Sequence, residues 1–147
     1  MRVSEAMTAE VETVTPDQPI QEAARFMLSA DTGVLPVVQD EVLRGMITDR
    51  DIAVRAVAEG RGPQTPVGEA MTGHALFVYE DQSVEEAAAL MSEQQIRRLA
   101  VKSRDGDRLF GIISLADISR INDDETAAFA LDGITDPGGE HNQSGND

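Results

Sequence analysis

Two stretches of the chain match each other: Gly45-Met46-Ile47-Thr48-Asp49-Arg50-Asp51-Ile52 and Gly111-Ile112-Ile113-Ser114-Leu115-Ala116-Asp117-Ile118. Each copy is a β-rich run that ends on a hydroxyl residue and leads into a helix. In each copy the hydroxyl and the carboxylate three residues later are one helical turn apart, so they point the same way. We consider such a pair a candidate site for the ribose and phosphate of a nucleotide.

The match is part of a longer internal repeat. Val3-Ser4-Glu5-Ala6-Met7-Thr8 recurs 64 residues later as Val67-Gly68-Glu69-Ala70-Met71-Thr72. Nine further residues are identical to the residue 64 positions later: Val14, Asp17, Gln18, Glu22, Ala23, Ala24, Met27, Leu35 and Val37. The sequence therefore predicts two homologous halves, with repeat 1 over residues 3–62, a linker over 63–66 and repeat 2 over 67–122. Residues 123–147 form an acidic tail that we expect to be disordered.

Each half predicts the same elements in the same order. In repeat 1 these are a short strand at residues 13–15, a helix at about 19–30, a hairpin of 34–38 with 42–48, and a closing helix after Thr48. One apolar helix face is predicted from Ile20, Ala23, Ala24, Met27 and Leu28. The fold class is thus α/β, more precisely α+β, with two β-α-β-β-α repeats.

Composition excludes several function classes. The net charge of −15 argues against nucleic-acid binding, which needs a basic surface. The chain has no cysteine, and no apolar run is long enough to span a bilayer, so we expect a cytoplasmic protein without membrane contact. Only His74 and His141 are histidines, and no catalytic or metal-spaced cluster is found. We therefore expect neither an enzyme nor a metal requirement.

The recurring motifs resemble those of a known family. The "Val-x-x-Ala-Met-Thr" start, the Ala-Ala helix, the "Leu-Pro-Val-Val" strand and the "Gly-Met-Ile-Thr-Asp-Arg-Asp-Ile" close are similar to a tandem pair of CBS domains (a Bateman module), over roughly residues 3–122. The layout resembles short stand-alone bacterial CBS-pair proteins, including the hypoxic response type. The resemblance implies pseudo-twofold packing of the repeats, a homodimer and adenosine ligands in clefts between the repeats. It also implies regulation of an unknown partner protein in trans.

The family motif uses its closing hydroxyl for phosphate and its aspartate for ribose. Carried onto this chain, the resemblance implies a first cleft with Thr48, Asp51, Arg50, Val14, Thr15, Val34 and Leu35. It implies a second cleft with Ser114, Asp117, Arg98, Val78, Tyr79 and Leu99. The expected ligand is AMP, ADP or ATP, with NAD or S-adenosylmethionine as alternatives.

Plainer interpretations remain open for the same residues. A hydroxyl at the N-cap with an acid three residues later is close to a capping box, which stabilises a helix without any ligand. Arg97 and Arg98 form either a solvated strand end or a phosphate contact. The alternative function is a structural or interaction protein that binds no ligand and works through its dimer surface.

Overall fold

The computed structural model describes residues 1–73 and 75–121, which form two compact units. One unit spans Val11–Ala75 and is called the Thr48 unit. The other combines Met1–Glu10 with the described chain from Leu76 onward and is called the Ser114 unit. The predicted tail, residues 123–147, lies outside the described residues.

Helices and strands follow the predicted order. They are α1 (Val3–Ala6), α2 (Ile20–Ala30), β1 (Val34–Gln39), β2 (Val42–Thr48), α3 (Asp49–Asp51), a π-helical stretch (Ile52–Val57), α4 (Val67–Ala70), β3 (Phe77–Tyr79), α5 (Val84–Gln94), β4 (Arg98–Lys102), β5 (Leu109–Ser114) and α6 (Leu115–Ser119). The α+β class is confirmed. No helix within residues 1–73 and 75–121 combines the length and the hydropathy needed to cross a membrane.

The Thr48 unit is built on the predicted hairpin. Strands β1 and β2 are antiparallel, with Val34 opposite Thr48. Asp40 and Glu41 both have positive φ at the turn, as a tight two-residue hairpin with right-handed strand twist requires. Val14 adds a single parallel bridge to Val37, so the predicted first strand is reduced to one paired residue.

The Ser114 unit repeats this arrangement with a longer first strand. Strand β3 runs parallel to β4, and β4 is antiparallel to β5, with Arg98 opposite Ser114. The pairing of Arg98 with Ser114 is equivalent to that of Val34 with Thr48. The two hydroxyl residues therefore end corresponding strands.

The segment that opens each repeat belongs to the unit that contains the hairpin of the other repeat. Thr72, from the start of repeat 2, pairs with Met46 in the Thr48 unit, and Thr8, from the start of repeat 1, pairs with Ile112 in the Ser114 unit. A Cβ atom at Gly45 or Gly111 would collide with the carbonyl oxygen of Thr72 or Thr8, respectively. The glycine that opens each repeated phrase is explained by this close approach of two backbones.

Each unit has its own apolar core. In the Thr48 unit, Ile20, Ala23 and Met27 of α2 pack with strand residues such as Val37 and Ile47. In the Ser114 unit, Val84, Ala87, Ala88 and Met91 of α5 pack with Val3, Leu99, Val101 and Ile113.

The apolar face predicted for α2 includes two residues, Ala24 and Leu28, that do not pack in the core. Leu28 is 83% exposed and Ala24 is also exposed, because the residues that face the sheet follow the line Ile20, Ala23 and Met27. The other two side chains point about 100° away around the helix.

Candidate functional site

The two hydroxyl–carboxylate pairs have nearly the same geometry. Thr48 Oγ1 accepts a hydrogen bond from the Asp51 N–H at 3.0 Å, and the Thr48 N–H donates to Asp51 Oδ2 at 3.0 Å. In the other unit, Ser114 Oγ accepts from the Asp117 N–H at 3.1 Å, and the Ser114 N–H donates to Asp117 Oδ2 at 2.9 Å. Both pairs therefore cap the helix that follows β2 or β5.

The second oxygen of each carboxylate faces an arginine. Asp117 Oδ1 accepts from Arg120 Nη1 at 2.8 Å, whereas Asp51 Oδ1 lies 3.7 Å from Arg55 Nε, beyond hydrogen-bond distance. The Asp117 side chain is 6% exposed and the Asp51 side chain is 13% exposed. Each carboxylate oxygen has two lone pairs, so both aspartates retain capacity for further donors such as ribose hydroxyls.

Sequence reasoning missed Arg55 and Arg120 as partners of these aspartates. Their spacing was the available signal, because Arg55 is four residues after Asp51 and Arg120 is three residues after Asp117. Residues at these intervals are neighbours on a helix surface.

A third capping box shows how little the box alone says about ligands. Ser83 Oγ accepts from the Glu86 N–H at 3.0 Å, and the Ser83 N–H donates to Glu86 Oε1 at 2.9 Å, at the start of α5. Glu86 is exposed, and these hydrogen bonds lower its pKa below the ordinary value. The Thr48 and Ser114 boxes differ because each directly follows a β-strand and because its carboxylate is largely withdrawn from solvent.

In the Thr48 unit, the predicted site residues differ in burial and in their distance from Thr48. Val34 is half-buried opposite Thr48, and Arg50 is exposed beside Asp51. Val14 and Leu35 lie in the apolar core, each 1% exposed. Val14 pairs with Val37, three residues along β1 from Val34, which is about 10 Å.

Thr15 follows Val14, and its N–H donates to Gln18 Oε1. The structure therefore brings Thr48, Asp51, Arg50 and Val34 to one strand end and leaves Thr15 farther along the unit. The predicted base contacts of Val14, Thr15 and Leu35 remain predictions.

In the Ser114 unit, Arg98 is half-buried opposite Ser114, next to the Asp117 carboxylate's capping box. Val78 and Leu99 are core residues, 2% and 1% exposed. Tyr79 pairs with Lys102, four residues along β4 from Arg98, or about 13 Å. Tyr79 thus belongs to the opposite end of the sheet, where its predicted contact with a base remains a prediction.

Aromatic and basic side chains meet at that opposite end. The Arg104 guanidinium lies 4.1 Å from the centroid of the Tyr79 ring and hydrogen-bonds to Asp81. These hydrogen bonds lower the pKa of Asp81 and raise that of Arg104. Lys102 Nζ lies 3.9 Å from the centroid of the Phe77 ring. These cation–π contacts tie the edge strand β3 to β4 and the hairpin that follows it.

Solved structures with the same fold contain adenosine compounds. The CBSX2 structure in complex with AMP has a TM-score of 0.72 and 27% identity, covering 82% of this chain and 94% of that one. The CBS domain pair of MJ0100, in complex with 5′-methylthioadenosine and S-adenosyl-L-methionine, has a TM-score of 0.72 and 30% identity, covering 82% and 94%.

One similar structure contains metal. Hypoxic Response Protein I with two coordinated zinc ions has a TM-score of 0.74 and 36% identity, covering 82% of this chain and 98% of that one. In the described part of the present chain, no group of three histidine, cysteine, aspartate or glutamate side chains is placed to hold a metal ion.

The family itself is shown by two comparisons. A CBS-domain family model matches residues 3–57 and again residues 67–124. The chain is 44% identical over 135 residues to the CBS domain-containing protein YhcV of Bacillus subtilis, covering 90% of this chain and 94% of YhcV. The chain therefore belongs to the CBS-domain family and carries two CBS repeats.

Proposed function

We propose that this protein is a regulatory module that binds adenosine compounds, with one site at Thr48 and Asp51 and another at Ser114 and Asp117. The observation that carries the proposal is the recurrence of one polar arrangement in both units. In each unit a hydroxyl and a shielded carboxylate stand at the end of a strand and retain unused acceptor capacity. Relatives of the same fold that hold AMP, 5′-methylthioadenosine and S-adenosylmethionine support this class of ligand.

The chemistry assigns a separate task to each group. An ionised aspartate accepts hydrogen bonds from both ribose hydroxyls, and hydrogen bonds to a charged acceptor contribute about 1.5–3 kcal/mol each. The hydroxyl of Thr48 or Ser114 can donate to a phosphate oxygen while it continues to accept from the helix backbone. The half-buried Val34 or the aliphatic stem of Arg98 lies next to it on the facing strand.

Binding would regulate a separate protein rather than catalyse a reaction. A ligand shifts the equilibrium between two conformations only if it binds one of them better, so regulation requires a partner that distinguishes the bound and free states. We propose that this partner is a separate chain and that the protein acts as a homodimer.

The proposal is tested by calorimetric titration of nucleotide-stripped protein with AMP, ATP, NAD and S-adenosylmethionine. Asp51→Asn and Asp117→Asn are the informative variants, because asparagine keeps an oxygen that accepts the capping hydrogen bond but loses the charge and one acceptor. We expect each variant to weaken binding at its own site by roughly tenfold to a hundredfold, with folding retained.

Glu86→Gln is the matched control. It makes the same change in the capping box of α5, which no part of the proposal uses. Binding that is unchanged in both aspartate variants, or that falls equally in Glu86→Gln, would contradict the site assignment.

A second candidate function is an interaction module that binds no ligand. It is favoured by the fact that both aspartates already have structural roles, because each caps a helix and lies beside an arginine, Arg55 or Arg120. This alternative predicts no heat and no thermal shift with any adenosine compound.

A further inference from the structure

The two site aspartates differ in what their second carboxylate oxygen contacts. In each unit Oδ2 accepts the N–H of the capping residue, Thr48 or Ser114, so Oδ1 is the oxygen that the cap leaves free. At Asp117 this free oxygen accepts a hydrogen bond from Arg120 Nη1 at 2.8 Å. At Asp51 it lies 3.7 Å from Arg55 Nε, which is beyond hydrogen-bond distance.

Arg55 has a different acceptor, which keeps it from closing on Asp51. Its Nη1 donates to the backbone carbonyl of Met71, the C-cap of α4, at 3.3 Å. This hydrogen bond fixes the Arg55 guanidinium between two acceptors and leaves the Asp51 Oδ1 atom available to a ligand.

Arg120 is placed to cover Asp117 from the solvent side. Its backbone N–H donates to the carbonyls of Ala116 and Asp117 in the last turn of α6, so its side chain starts beside the carboxylate. The Arg120 side chain is 72% exposed, whereas its partner carboxylate is 6% exposed. A guanidinium that is mostly exposed, bound to a carboxylate that is mostly buried, lies between that carboxylate and water.

The Arg120 contact can also open at small cost. Ion pairs in which one partner is solvent-exposed contribute little to stability, because the released guanidinium is hydrated again. A pair at this spacing ordinarily does no more than stabilise its helix. Here it also occupies the one oxygen that the cap leaves free, on a carboxylate that we propose binds ribose.

We propose that Arg120 is an autoinhibitory contact at the Ser114 site. Its guanidinium competes with the ribose hydroxyls for Oδ1 of Asp117 and turns into solvent when a ligand binds. The Thr48 site has no such competitor, so it binds the same nucleoside more tightly, and the protein responds at two ligand concentrations. This inference rests on the proposed adenosine binding and adds the regulation of one site.

The test is calorimetric titration with adenosine, which has the ribose hydroxyls but no phosphate that the Arg120 charge could attract. Asp51→Asn leaves the Ser114 site, and Asp117→Asn leaves the Thr48 site. We expect the Thr48 site to bind adenosine about threefold to tenfold more tightly than the Ser114 site. Adding Arg120→Gln to the Asp51→Asn protein should tighten adenosine binding by the same factor of about three to ten.

Two controls separate competition for ribose from a general effect of the substitution. The compound 2′,3′-dideoxyadenosine lacks both competing hydroxyls, so Arg120→Gln should not tighten its binding by more than about twofold. Arg104→Gln is the matched variant, because Arg104 is another exposed arginine that hydrogen-bonds to an aspartate, Asp81, in the same unit. It should leave adenosine affinity within about twofold.

The outcomes distinguish this inference from the proposed function. Adenosine affinity that is unchanged or weaker in Arg120→Gln, or an equal gain for the dideoxy compound, would overturn the autoinhibition and leave adenosine binding intact. Failure of the wild-type protein to bind adenosine would overturn both proposals.

Discussion

Replacement of Gly111 by alanine should destabilise the Ser114 unit severely. The added methyl group would overlap the carbonyl oxygen of Thr8, so the opening segment of the chain would have to move away from β5. The movement would break the hydrogen bonds from the Thr8 N–H to the Ile112 carbonyl at 2.8 Å and from the Ile112 N–H to the Thr8 carbonyl at 3.0 Å. These bonds contribute about 0.5–1.5 kcal/mol each.

The segment also carries a core side chain. Val3 is completely buried in the Ser114 unit, and partial withdrawal of an apolar side chain of this size costs up to about 1.5–3 kcal/mol. We therefore expect Gly111→Ala to lower the free energy of unfolding by about 2–5 kcal/mol. Gly45→Ala should act similarly in the Thr48 unit, through the carbonyl oxygen of Thr72.

Urea unfolding followed by far-ultraviolet circular dichroism measures this effect. With m values of about 1–3 kcal/mol/M, the loss should lower the midpoint by about 0.7–5 M. Gly73→Ala is the control, because a Cβ atom there would meet nothing within 4 Å and should change stability by less than about 0.5 kcal/mol. If Gly111→Ala unfolds within about 0.5 kcal/mol of wild type, the exchanged pairing is refuted.

Three other predictions follow from the described contacts. Deletion of residues 1–10 should abolish hydrogen-exchange protection in the Ser114 unit and spare the Thr48 unit, because the deleted segment supplies Val3; equal loss in both would contradict the exchange. Arg104→Gln should return the lowered pKa of Asp81 toward its ordinary value in a carboxyl-carbon NMR titration. Because the folded pKa is lowered, the pair's stabilisation is present above the ordinary carboxyl pKa and fades as pH falls through the folded value; an unmoved pKa would exclude Arg104 as its cause. Light scattering of the wild-type protein should give the mass of a dimer. A monomer mass would contradict the proposed homodimer.

Local features of the fold could be predicted from the sequence because their causes are local. Two β-rich runs on either side of Gln39, Asp40 and Glu41 predict a hairpin. Ser114 followed three residues later by Asp117 predicts a helix start. Because the two halves have similar sequences, an element predicted in one half is also predicted at the equivalent position of the other.

The exchange of opening segments could not be predicted, because it depends on which of two similar sequences reaches a given strand. Residues 3–8 and 67–72 have nearly the same sequence, so the sequence pattern allows either segment to pair with β2 or with β5. Only the tertiary pairing of Thr8 with Ile112 and of Thr72 with Met46 resolves the choice.

The candidate sites were predicted in part for a related reason. The hydroxyl and aspartate of each site are set by helix geometry and could be read from spacing. Burial of Val14 and Leu35 in the core, and the hydrogen bond from Arg55 to the Met71 carbonyl, depend on how the sheet and helices pack, which residue spacing does not encode.

Adenosine binding at the Thr48 and Ser114 sites can be tested by following backbone amide signals in a proton–nitrogen NMR spectrum during titration with AMP and with 5′-methylthioadenosine. The amides of Thr48 and Ser114 donate to the aspartates that are proposed to hold ribose, so they should report any change at those carboxylates. If these sites bind the ligands, the largest saturable shifts should include the amides of Thr48, Asp51, Ser114 or Asp117. Saturable shifts elsewhere, with these four amides unmoved, would contradict it.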